Sequence, residues 1–170
     1  MNRRAPDPSE YTEYYGRYIQ LVPSGDIVTI LRDQLAATTQ LLRSVPADRV
    51  EFSYAPGKWK LRQVLGHVTD MEWVFGARAI HFARAVEGAL PGFEQDDAMR
   101  VAVFPAWSDL IDQFAHARAG FISFAEALDE AAWNRTGVMS GNAASVRAVA
   151  YVLAGHERHH TGVIRERYLG

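Results

Sequence analysis

The sequence predicts an all-α protein, namely a four-helix bundle with long connections and an N-terminal arm. Two observations lead to this prediction. Four segments of roughly 22 to 26 residues repeat apolar side chains at intervals of three and four, and no segment shows convincing strand alternation. Short strand pairings within the loops stay an open alternative. With 170 residues, the chain has the length of one domain with a buried core, in which each helix buries its apolar face against the others.

The first 23 residues are predicted to form the arm, and residues 24–170 the bundle domain. Three prolines are expected to break any helix in the arm, whereas four tyrosines indicate that the arm packs over the surface of the bundle. These residues are Pro6, Pro8 and Pro23, with Tyr11, Tyr14, Tyr15 and Tyr18.

The helix boundaries follow from capping residues, prolines and glycines. Ser24 is a candidate cap for the first helix, and Pro46 ends that helix. The connection at 89–105 is long for a link between helices, which indicates a crossover or a functional loop. A second irregular stretch covers residues 133–144. The four helical ranges are predicted at about 24–46, 61–86, 107–128 and 145–168.

Composition excludes several classes of function. The net charge is 18 − 20 = −2, which excludes a strongly basic protein that binds nucleic acid through bulk charge. The absence of cysteine excludes a disulfide framework, a cysteine-ligated zinc site and a cysteine nucleophile. The sequence has neither a signal peptide nor a run of about 18 apolar residues, so we expect a cytoplasmic protein that does not enter a membrane.

The fourth helix carries two histidines that point inward together. At about 100° per residue, His156 and His160 lie about 40° apart, and both face the same side as the apolar Val149 and Val152. His159 falls on the flank of this face. Buried imidazole nitrogens need partners, and either protein hydrogen bonds or a shared divalent ion would provide them.

A third ligand is expected from another helix, and His67 on the second helix is the best candidate because it lies at the edge of the apolar stripe. His81 lies about 21 Å further along that helix, too far to share a site with His67. His116 is expected at the surface. Three histidines without a fourth protein ligand leave a position for water, as in catalytic zinc sites.

Three stretches of the chain resemble the DinB-like superfamily. They are KW at 58–59 with LGHVTDME at 65–72, LPGF at 90–93, and AGHERHH at 154–160 with RERY at 165–168. The resemblance implies a four-helix bundle in which His67, His156 and His160 hold one divalent metal ion, with zinc or nickel as the metals found in relatives. Those relatives include metal-dependent thiol S-transferases and a thiol-dependent isomerase, and homodimers are common among them.

The expected function is therefore that of a metal-dependent enzyme. The metal would activate either water, as in a hydrolase, or the thiolate of a low-molecular-weight thiol, as in a thiol S-transferase. The alternative is a non-enzymatic helical bundle that binds a metal or a small molecule without turnover. The expected partners are a small-molecule substrate and a second copy of the chain, not nucleic acid or a membrane.

Charged residues near the histidines are weaker candidates, and no catalytic base is assigned. Arg78 lies 11 positions after His67 on the same side of its helix, so it either binds an anionic group of the substrate or forms a salt bridge. Asp70 and Glu72 are expected on a solvated face, and Asp70 is also a candidate to orient a ligand imidazole. Asp96 and Asp97 are read as exposed loop acids that could overhang the metal, and Glu157 as a residue that is not a ligand.

Overall fold

Four long helices form a bundle; one short α-helix precedes the first of them, and two short α-helices and one hairpin lie in the connections. The computed structural model describes residues 3–170, and within this range the prediction of a helical bundle is confirmed. The short antiparallel hairpin lies inside the second irregular stretch, where strand pairing had been left open. The elements are α1 (Glu13–Ile19), α2 (Ile27–Arg43), α3 (Leu61–Ala83), α4 (Gln95–Val101), α5 (Trp107–Glu126), α6 (Glu130–Asn134), β1 (Thr136–Met139), β2 (Asn142–Ser145) and α7 (Val146–Val163), followed by a π-helix (Ile164–Leu169).

Side-chain caps set the first residues of two of the long helices. Ser145, where the fourth helix was predicted to start, caps α7 because its side chain accepts a hydrogen bond from the Ala148 amide at 2.9 Å. The prediction that Ser24 caps the first helix is wrong. Asp26 takes that position, and its carboxylate accepts from the Thr29 amide at 3.0 Å.

The N-terminal segment contains a helix that the prolines were expected to prevent. Helix α1 spans seven residues and lies wholly between Pro8 and Pro23, so neither ring interrupts its hydrogen bonds. Its Tyr15 and Ile19 are buried in the core, and the helix packs along α7. The division into an arm and a domain at residue 23 stays a prediction.

A glycine permits the close approach of these two helices. A Cβ atom built on Gly155 of α7 would lie 2.0 Å from the carbonyl oxygen of Tyr18, which is far inside van der Waals contact. No other residue type fits here without moving the backbone. Gly155 therefore brings the end of α1 beside the histidines of α7.

The two long connections meet on one side of the bundle. Leu90, in the connection that also holds α4, pairs with the hairpin through Leu90 N to Val138 O at 2.8 Å and Ser140 N to Leu90 O at 3.0 Å. Ser140 and Gly141 both have positive φ, as a tight two-residue hairpin turn requires. Among the described residues, no helix is long and apolar enough to cross a membrane.

Candidate metal centre

Helices α3 and α7 bring three imidazoles to one point. The Nε2 atom of His67 lies 2.9 Å from Nε2 of His156, which in turn lies 3.2 Å from Nε2 of His160. One ligand atom from each of the three residues lies within 4.8 Å of the other two. The helical angles that placed His156 and His160 on one face of their helix, and His67 at the edge of the apolar stripe of another, agree with this arrangement.

The spacing of these nitrogens fits one divalent ion. Two imidazole nitrogens bound to a common zinc at about 2.0–2.1 Å lie about 2.9–3.4 Å apart when the angle at the metal is about 90–110°. The two measured separations, 2.9 and 3.2 Å, fall in this interval. Imidazole suits zinc and nickel alike, so the donor set agrees with a divalent transition metal.

All three rings are held in the neutral form that metal binding requires. Burial lowers the pKa of His67 to about 4. Burial, together with the neighbouring His67 and His159, lowers the pKa of His160 to about 3. The pKa of His156 lies well below its usual value, mainly because the ring is buried and secondly because the other histidines surround it. A neutral imidazole keeps a lone pair available for a metal.

Aromatic side chains fix the orientation of the rings. The Trp59 ring centre lies 5.1 Å from that of His67, whose buried Nδ1 has no hydrogen-bond partner among the described residues. His156 packs between Tyr18, at 5.4 Å, and Phe75, at 6.1 Å between ring centres. Packing therefore orients His67 and His156 more than hydrogen bonds do.

A buried ionic triad borders the histidines, and the sequence analysis missed it. The Arg118 guanidinium donates to both carboxylate oxygens of Glu72, at 2.6 and 2.8 Å, and to Glu157 at 3.2 Å. Thr38 donates to the same Glu157 carboxylate. All three charged residues are at most 3% exposed, so the expectation that Glu72 lies on a solvated face is wrong.

A signal for this triad was present in the helical spacing. Glu72 follows the apolar Val68 by four residues and precedes Phe75 by three, which places it inside the buried stripe of α3. Arg118 has the same relation to Phe114 and Phe121 on α5. A charge within an apolar stripe indicates a buried partner of opposite charge.

The other candidate residues do not belong to the group of three converging nitrogens. His116 is exposed, as expected, and so is His159. His81 contacts the Gly88 carbonyl oxygen at 3.2 Å from Nε2. Asp97 is exposed and pairs with Arg100. Asp70 is half-buried, and burial raises its pKa.

A cavity of about 440 Å³ opens beside His156, and we call it the Arg78 cavity. The hairpin turn, the loop before α4 and helix α1 wall it, with Phe75 and Arg78 from α3. Arg78 is 5% exposed and donates from Nη2 to the Pro91 carbonyl at 2.9 Å and to Ser140 Oγ at 3.1 Å. The salt bridge considered for Arg78 does not form among the described residues.

A second cavity, of about 350 Å³, opens on the His160 side, and we call it the Trp59 cavity. Tyr54, Trp59 and Tyr168 supply aromatic walls, and Lys58 lies at its edge. The exposed Asp96 of α4 lines both cavities. His156 thus borders one cavity and His160 the other.

Comparison with known proteins agrees with this fold. The family model of the DinB superfamily matches residues 30–164. The structure of YfiT from Bacillus subtilis, described as "a probable metal-dependent hydrolase with an unusual four-helix bundle topology", is similar with a TM-score of 0.68 and 16% sequence identity. The likeness covers 94% of this chain and 91% of that chain, and at such low identity it establishes the fold alone. A search of curated proteins found no match.

Proposed function

The chain belongs to the DinB superfamily, and we propose that it is a metal-dependent enzyme that acts on a small molecule at the three-histidine centre. The convergence of three neutral Nε2 atoms beside two cavities carries this proposal. The resident ion is a divalent metal, with zinc or nickel as the candidates. His67, His156 and His160 hold it.

The ligand count supports catalysis over a purely structural role. Among the described residues, the group that could hold the ion contains three histidines and no fourth side chain. Closed structural zinc sites use four protein ligands, whereas catalytic sites use three and leave one position free. An ion bound there supplies a Lewis acid that lowers the pKa of a water molecule or a thiol.

The chain's own residues orient and shield the site. Tyr18 and Phe75 cover one side of His156, and Trp59 covers His67, so water reaches the centre chiefly through the two cavities. The Glu72–Arg118–Glu157 triad ties α3, α5 and α7 together beside the histidines. Rigid placement of the helices keeps the three nitrogens at ligand spacing.

Two reactions are compatible with this centre. Hydrolysis is supported by the fold shared with YfiT, which is itself described as a probable metal-dependent hydrolase. Transfer of a low-molecular-weight thiol is supported by the two separate cavities, because this reaction needs room for a thiol and for an electrophile. We further propose that the protein acts in the cytoplasm as a homodimer, without nucleic acid or membrane as a partner.

One comparison tests the proposed function. Metal-loaded and chelated protein are assayed in parallel with a thiol plus an electrophile, such as 1-chloro-2,4-dinitrobenzene, and with chromogenic esters and amides. We expect a metal-dependent rate in one of the two series, which His156→Ala abolishes and His159→Ala keeps. Rates that are independent of metal in both series would instead favour a metal-binding bundle without turnover.

A further inference from the structure

Arg78 is a buried cation without a carboxylate partner. It is 5% exposed, yet among residues 3–170 no acidic side chain forms an ion pair with it. Its two hydrogen bonds go to a backbone carbonyl and a hydroxyl, and both use Nη2. Burying a guanidinium without a nearby anion costs free energy. The cavity around Arg78 therefore favours a negatively charged ligand.

The remaining donors of Arg78 face a ligand-sized space. A guanidinium has five N–H donors in a planar fork. The contacts through Nη2 leave Nε and Nη1 without a partner, and neither atom is among the sealed, unpartnered atoms of the described chain. Nε and Nη1 lie on opposite edges of the guanidinium, so either one can donate a hydrogen bond to an oxygen of an anion while Nη2 keeps its two contacts.

The other charged groups that line this cavity do not neutralise the charge of Arg78. Arg17 is exposed and lies over the rings of Tyr14 and Tyr18, at 4.3 and 4.8 Å from their centres. Glu94 and Asp96 line the same cavity, but both are exposed and neither pairs with Arg78. Arg78 is therefore the buried charge of the cavity.

The distance between Arg78 and the histidines limits the size of the ligand. Both lie against Phe75, with Arg78 Cζ 5.4 Å and the His156 ring centre 6.1 Å from the centre of its ring. Arg78 Cζ and the His156 ring are thus at most about 12 Å apart, which a small molecule spans.

We propose that the Arg78 cavity binds a small organic anion, whose carboxylate or similar oxyanion accepts a hydrogen bond from the unused Nε or Nη1 of Arg78 while its reacting group lies at the three histidines. This inference rests on the proposed function and adds a substrate class to it. The apolar part of the substrate lies against Phe75 and Met71, which line the same space.

A series of thiol probes tests whether Arg78 binds the anionic group of a ligand, and it does so by affinity, without an activity assay. Cobalt(II)-substituted protein is titrated with ω-mercaptocarboxylates of three to eight carbons and with ω-mercaptoalcohols of equal length. Binding of the thiolate to cobalt is followed by the thiolate-to-cobalt charge-transfer absorption. At one chain length, we expect the carboxylate to bind at least about tenfold more tightly than the alcohol. The preferred length measures the span from the centre to Arg78.

Variants test whether Arg78 causes the preference for the carboxylate over the alcohol. Arg78→Gln should remove the preference and leave cobalt binding unchanged, whereas Arg78→Lys should keep part of it. Arg17→Gln, at the rim of the same cavity, is the matched control and should keep it in full. Equal affinities for acid and alcohol at every length in the wild-type protein would overturn this inference alone. Failure to bind cobalt would overturn the proposed function and this inference with it, whereas cobalt-loaded protein that takes up no thiol would overturn this inference alone.

Discussion

The Nε2 atoms of His67 and His156 lie 2.9 Å apart although 89 positions separate the two residues in the chain. Two imidazolium rings could not occupy these positions together, because their charges would repel at contact distance in a buried site. The fold therefore selects neutral rings. Neutral rings have consequences for stability as well as for metal binding.

The metal-free protein should lose stability as the pH falls from about 6.5 towards 4. The unfolded chain protonates its histidines near pH 6.5, whereas burial holds the pKa of His67 at about 4 in the folded chain. Between these values the unfolded state binds more protons, which favours unfolding by about 3 kcal/mol for His67 alone. Urea unfolding with a chelator present, repeated from pH 7.5 to 4.5, measures how the free energy of unfolding changes with pH. His67→Gln should show a shallower slope, and a flat wild-type profile would contradict the prediction.

The pair formed by Glu10 and Arg147 should stabilise the protein above about pH 4.5 and lose this effect below it. Burial raises the pKa of Glu10, but hydrogen bonds from Arg147, Ser145 and the Asp7 amide outweigh it and hold the pKa below its usual value. Glu10→Gln should cost about 1–2 kcal/mol at pH 7. The difference in free energy of unfolding between this variant and the wild type should shrink on acidification through pH 4. A difference that stays constant with pH would show that the charge of Glu10 is not involved.

Gly155→Ala should displace α1 from α7. The added methyl would meet the Tyr18 carbonyl oxygen at 2.0 Å, and overpacking of this kind costs about 1–3 kcal/mol. Gly162→Ala, in the same helix, is the matched control, since nothing lies within 4 Å of its Cβ position. That control should gain up to about 1 kcal/mol from helix propensity. Similar unfolding energies for the two variants would mean that α1 does not pack as described.

Arg118→Ala should be strongly destabilising. It leaves Glu72 and Glu157 buried without their counter-charge, which costs about 3–5 kcal/mol. Arg43→Ala breaks an exposed pair with Asp112 and should cost less than about 1 kcal/mol. Urea unfolding at pH 7 separates these outcomes. A small loss for Arg118→Ala would indicate that the triad is hydrated in solution.

The sequence predicted the bundle and the three histidines because both depend on helical periodicity. The stripes of the four long helices were readable, and a 40° offset placed His156 and His160 on one face. The sequence pattern predicted the burial of His67 less well. Its angle indicated the edge of a stripe, but the structure buries it to 1% exposure because Trp59 and the loop before α3 close over it.

Features that depend on contacts between distant segments were not predicted. Helix α1 was excluded on account of the flanking prolines, yet its stability comes from packing on α7, which a local pattern does not reveal. The partners of Arg78 come from Pro91 and Ser140, in two loops whose meeting depends on the pairing of Leu90 with the hairpin. Spacing along α3 alone could not distinguish a salt bridge from a free guanidinium.

Metal content tests the central claim most directly. Protein purified without chelator, or incubated with zinc or nickel and then desalted, is analysed for bound metal together with three single-histidine variants. We expect about one divalent ion per chain for the wild type and for His159→Ala, and less than about a tenth of that for His156→Ala and His160→Ala. A wild-type protein without metal after both treatments, or an equal loss in all three variants, would contradict the assignment of His67, His156 and His160 as ligands.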